Sequence, residues 1–147
     1  MPGLSPFLPS LRLTAFVCTN CGFWQRSSQV PTSCPICLDS RHVPPTGDWV
    51  FRSFEDAKDR YPCHVEELLE GLYRIWNEPV EGIGPNSYLS ISQSGNFLFE
   101  GATVFSDEVI SKIRDLGGIS YLSSSHPHSY GALWQIEELF EPEIIMH

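Results

Sequence analysis

Residues 95–131 read GNFLFEGATVFSDEVISKIRDLGGISYLSSSHPHSYG, and this stretch decides the fold class. Phe97, Leu98 and Phe99 form the apolar heart of a strand that ends at Glu100-Gly101. Ser106 then offers a helix cap, Asp107 and Glu108 put negative charge into the first turn, and Val109, Ile110, Ile113 and Leu116 recur at helical spacing. Gly117 ends that helix. A strand over residues 119–123 follows and runs straight into Ser124-Ser125-His126-Pro127-His128. Strand, helix and strand in this order predict a crossover unit with two histidines at the carboxyl end of its last strand. In extended backbone, residues two apart point the same way, so one ion could take both imidazoles.

Upstream, strands are expected over 72–76, 87–92 and 96–100, separated by Glu81-Gly82-Ile83-Gly84-Pro85-Asn86 and by Ser94-Gly95; three in succession suggest a meander. Ser53 caps a short helix through Glu55, Asp56 and Lys58 that Pro62 stops, and a second helical stretch is expected over 64–69. A last helix is expected over about 130–140, ended by Glu141-Pro142. The fold class is therefore α/β (α+β), with one mixed sheet and Val109, Ile110, Ile113 and Leu116 packed on it.

Five cysteines are one too many for a disulfide framework. Cys18, Cys21, Cys34 and Cys37 form two C-x2-C pairs twelve residues apart, a spacing that offers four thiolates to one tetrahedral ion. Gly22 supplies backbone freedom after the first pair, and Pro35 fixes a φ angle inside the second. Zinc is the first choice, one structural ion per chain, and iron in a rubredoxin-like site uses the same ligands. Such a site is closed and stabilises structure. Cys63 reads as a small buried thiol, since no oxyanion loop accompanies it. His42 and His64 read as surface residues, because neither has a partner at metal spacing. The four tryptophans read as packing residues between the cysteine segment, the sheet and the last helix.

The cysteine quartet, VPPTGDW (43–49), ELLEGLYRI (67–75), GNFLFE (95–100) and SHPHSYG (125–131) occur in an order that resembles some metallo-β-lactamase-fold hydrolases. The resemblance covers roughly residues 18–140. It implies an N-terminal zinc ribbon or knuckle followed by the first half of an αββα sandwich, with metal at one sheet edge. It also implies that His126 and His128 are the first two histidines of an HxHxDH motif, a candidate second and weaker zinc site. Glu100 stands where the family has an Asp that orders the site, a supporting part behind the ligands. Tyr130 and Gly131 stand where the family has Asp and His, so the loop implies one ion at most. The family's remaining ligands belong to the second half of the fold. The second sheet of the sandwich that the resemblance implies is likewise not encoded, so one face or edge of the first is left short of cover, and self-association would supply it. A third ligand would have to come from Glu100, the best placed internal candidate, from His42, His64 or His147, or from a partner chain.

The expected organisation is a disordered segment over 1–17, a four-cysteine knuckle with linker over 18–61 and a partial metallo-β-lactamase-like domain over 62–147. By resemblance the function is metal-dependent hydrolysis of an ester, thioester or lactone, with a small-molecule substrate, weak or absent in this chain alone; no residue is assigned as catalytic. The alternative is a non-catalytic knuckle module for binding a partner, and electron transfer at a four-thiolate iron competes for the knuckle alone. The charge of −9 falls almost wholly after residue 60, where three basic side chains face thirteen acidic ones. That balance repels phosphate backbones and argues against nucleic acid. No apolar window approaches the roughly 18 residues of a membrane span, and the first residues lack a positive leader, so neither membrane nor export is expected and the compartment is read as cytoplasmic.

Overall fold

In the computed structural model, which describes residues 13–146, the chain forms two sheets. The smaller holds β1 (Thr14–Cys18), β2 (Trp24–Ser27) and β3 (Phe51–Ser53), all antiparallel in the order β2-β1-β3. The larger has six strands in sequence order: β4 (Cys63–Leu69), β5 (Leu72–Asn77), β6 (Ser87–Ser90), β7 (Phe97–Phe99), β8 (Tyr121–Ser123) and β9 (Glu143–Ile144). Strands β4 to β7 form the expected antiparallel meander, extended by one strand. Strands β7, β8 and β9 run parallel, which makes the sheet mixed. Parallel neighbours need crossovers: α2 (Asp107–Asp115) links β7 to β8, and α3 (Pro127–Tyr130) with α4 (Trp134–Phe140) links β8 to β9. A further helix, α1 (Phe54–Arg60), leads from β3 to β4.

Both predicted caps are formed. The Asp56 N–H donates to Ser53 Oγ at 3.3 Å and the Val109 N–H to Ser106 Oγ at 3.3 Å. Val109, Ile110 and Ile113 on α2 bury against Ile75, Leu89, Leu98 and Leu122, which share one face of the large sheet, with Ile136 of α4 closing the cluster. Each such side chain contributes about 1.5–3 kcal/mol by leaving water. The alternate residues Trp76, Tyr88, Phe97, Phe99 and Tyr121 lie on the opposite face, which is only half-buried.

A second core packs the small sheet against α1, the start of α4 and the segment that follows β7. Val17, Trp24, Ala57, Tyr61, Val104 and Ala132 pack together, and the Trp24 indole N–H donates to the Thr103 carbonyl at 2.7 Å. Gly82 lies so close to the first cysteine turn that a Cβ would stand 2.2 Å from the Gly22 nitrogen.

Three expectations need correction. Residues 64–69 are not helical: they are strand in β4, paired antiparallel with β5 and turned by Gly71, whose N–H donates to Glu67 Oε1 at 3.0 Å. The spacing of Val65, Leu68 and Leu69 mimics a helix, but the ladder to β5 overrides it, with an irregularity between Glu67 and Leu69. The last helix is two pieces, α3 and α4, with turns at 131–133 between them. Of the segment expected to be disordered, residues 1–12 lie outside the described residues; residues 14–17 are strand β1, with Phe16 and Val17 buried. The third ligand candidate His147 also lies outside the described residues. Lastly, β9 has no forerunner in the sequence reading: only Glu143 and Ile144 pair, too few to show a period. The described residues form two sheets of three and six strands, and an αββα sandwich is not shown.

Candidate metal centre

Cys18 ends β1, and its N–H donates to the Phe23 carbonyl at 2.9 Å while the Gly22 N–H donates to the Cys18 carbonyl at 2.8 Å. Gly22 has φ 84°, a left-handed angle that suits glycine. The second pair lies in a similar turn, closed by the Leu38 N–H on the Cys34 carbonyl at 3.1 Å. The two turns bring all four sulfurs within 4.8 Å of one another. Cys18 Sγ is 3.9 Å from Cys37 Sγ, and Cys21 Sγ is 3.6 Å from Cys34 Sγ. A tetrahedral ion about 2.3 Å from each sulfur separates them by about 3.8 Å, so the donor set fits a metal ion, and the sulfurs are too far apart for disulfides.

Burial and hydrogen bonding shape the charge on this quartet. The Cys21 thiol is pushed far up by its hydrogen bonds with Cys18 and Cys34 and by desolvation. Cys34 is pulled well below the ordinary thiol range by hydrogen bonds from Cys18 and Cys21. A dication would let all four become thiolates. Asn20 Nδ2 donates to Cys37 Sγ at 3.3 Å, and Phe23, Ile36, Trp49 and Phe51 pack around the cluster. The site is therefore closed to solvent, a structural arrangement rather than a reactive one.

The histidine loop leaves the large sheet at the end of β8. Glu100, at φ 67° directly after β7, accepts from the Ser125 N–H at 2.7 Å, from Ser124 Oγ at 2.8 Å and from Ser125 Oγ. Burial acts to raise its carboxyl pKa, yet the bonds from Ser125 and Ser124 hold it below the ordinary value. Glu100 thus tightens the loop above the usual carboxylate range, and that support fades as pH falls through the lowered folded pKa. Its carboxylate binds the loop beside the histidines.

The two histidines meet by a different geometry from the extended one expected. His126 caps α3 and Pro127 occupies its first turn, so a helical turn folds His128 back. The two Nδ1 atoms are 2.7 Å apart, with ring centroids at 4.4 Å and planes 11° apart. His126 is exposed, whereas His128 is buried at 5%. Burial lowers the His128 pKa, and the His126 and His42 charges lower it further, which favours the neutral ring that ligates metals.

His42, read from sequence as a surface residue, stands here. It is half-buried, and its ring centroid is 4.4 Å from that of His128 and 6.3 Å from that of His126. His42 and His128 border an open cleft of about 350 Å³ lined in part by Cys21, Cys37 and Arg41. The one sequence signal was its place five residues after Cys37, within the knuckle. His64 is not part of this cluster: it is exposed on β4, with its ring 5.3 Å from Trp76. Burial pushes the Cys63 thiol up to about 11, as suits an inert packing residue.

No family model matches the chain. It is 32% identical over 139 residues to YmaE, an uncharacterized protein of Bacillus subtilis (strain 168), in a match spanning 90% of this chain and 49% of the relative. The chain thus spans about half the length of the curated relative it matches. Among the described residues, no helix is long and apolar enough to cross a membrane.

Proposed function

We propose that the chain is part of a metal-dependent hydrolase of the metallo-β-lactamase type, acting on an ester, thioester or lactone, with zinc as the structural ion of the cysteine quartet. The observation that carries this reading is the His126/His128 pair at the carboxyl end of β8, with Nδ1 atoms 2.7 Å apart on a loop held by the Glu100 carboxylate. An ion at such a pair supplies Lewis acidity and acidifies water. The protein's share is to favour the neutral His128 ring by burying it, to fix the loop through Glu100 and to leave a cleft open beside His128. Two ring nitrogens hold an ion weakly, since catalytic zinc ordinarily has three protein ligands. Turnover by this chain alone is therefore expected to be slight.

One observation favours a second reading, a non-catalytic knuckle module that binds a partner. At Gly131, where the resemblance calls for a histidine, a Cβ would stand 2.6 Å from the backbone N and O of Trp24. The knuckle fills the space a second-metal ligand would need. Assaying aryl ester, thioester and lactone hydrolysis with added zinc separates the readings. A low zinc-dependent rate that vanishes in His128→Ala supports the hydrolase; identical rates in wild type and in the His126→Ala/His128→Ala variant support the module.

A further inference from the structure

We propose that His42 is the third imidazole of a metal site shared with His126 and His128, positioned by the metal-bound cysteine knuckle. This rests on reading the His126/His128 pair as ligands, and it names the residue and segment that complete them. Three imidazoles on one tetrahedral ion, each nitrogen about 2.0–2.1 Å away, place their ring centroids about 5 Å apart. The observed separations are 4.4, 4.4 and 6.3 Å. Among the described residues the cysteine quartet is the one group of three or more such donors that all lie within 4.8 Å, so the trio closes only when His42 turns from its edge-on contact toward His126. That turn is a side-chain movement of about an ångström or two within an open cleft, on the scale set by those bond lengths.

The path that places His42 runs through the knuckle. The Asp39 N–H donates to the Ile36 carbonyl at 3.2 Å, inside the second cysteine pair, and the His42 N–H donates to the Asp39 carbonyl at 2.9 Å. Asn20 then spans the metal quartet and the histidine's neighbour, donating to Cys37 Sγ at 3.3 Å and to the Val43 carbonyl at 3.0 Å. Arg41, the cation nearest in sequence, is turned aside into a salt bridge with Asp39 at 2.8 Å. The knuckle therefore blocks the position of Gly131 with its own backbone and supplies an imidazole in return. Three nitrogens with the remaining position open to the cleft are the ligand set of a catalytic mononuclear zinc, and the site takes a divalent cation of that borderline class.

The test uses the full chain loaded with one equivalent of Zn²⁺ and titrated with Co²⁺. The expected result is one further equivalent whose visible spectrum lacks thiolate-to-cobalt charge transfer. Its affinity should fall at least about 10–100-fold in His42→Ala and in His128→Ala, since losing a ligand costs no less than losing a partner behind one. Far-ultraviolet circular dichroism and the zinc equivalent should be unchanged in both. Asn20→Ala should weaken cobalt binding severalfold while zinc is retained, and unaltered cobalt affinity there would overturn the positioning by the knuckle. Wild-type cobalt affinity in His42→Ala, with loss in His128→Ala, overturns the proposal and leaves the paired-ligand reading standing. A wild type that takes up no second equivalent removes both.

Discussion

The cysteine quartet and the histidine trio stand side by side, yet they are assembled in opposite ways. The quartet comes from two tight turns close in sequence, all four sulfurs are buried, and aromatic side chains seal it. The trio draws His42 from the knuckle loop and His126 and His128 from the loop at the carboxyl end of β8, and it opens on a cleft. A local, closed donor set stabilises structure, whereas a composite, open one depends on the fold being in place before it can bind anything.

The largest effect should follow from opening the quartet. A structural tetrathiolate ion contributes on the order of 10 kcal/mol to ordering the segment that ligates it. Cys34→Ser should therefore abolish hydrogen-exchange protection over residues 18–42, and, because Trp24 bonds the Thr103 carbonyl and packs with Val104, weaken protection at Val104 as well. Protection unchanged from wild type would break the contrast between the two sites. A smaller effect is expected from an attempt to install the histidine that Gly131 lacks. Gly131→His should destabilise the chain by about 1–3 kcal/mol in urea unfolding, because its Cβ meets the Trp24 backbone, with no added metal affinity. Tighter metal binding in that variant would show that the knuckle yields and that the trio is not the only solution.

Much of this was legible in the sequence. Paired C-x2-C spacing is a local signal, and the quartet forms as read. The caps at Ser53 and Ser106 and the meander were equally local, set by side-chain oxygens and turn residues next to the elements they delimit. What was misread depended on distant partners. Residues 64–69 carry a helix-like pattern that only pairing with β5 turns into strand. His42 looked like a solvated residue because nothing near it in sequence announces His128, and Gly131 gave no sign that Trp24 would press against it. Proline at 127 could have warned that the two histidines would meet through a helical turn rather than an extended one.

The central claim is that one chain holds two unlike metal sites. Its most direct test is the number of zinc ions bound per chain, with and without a competing chelator, in wild type, Cys21→Ser and His126→Ala/His128→Ala. The expected result is one chelator-resistant ion and one labile ion in wild type, loss of the resistant ion in Cys21→Ser, and loss of the labile ion alone in the double histidine variant. A resistant ion retained in Cys21→Ser, or a labile ion retained without both histidines, would contradict it.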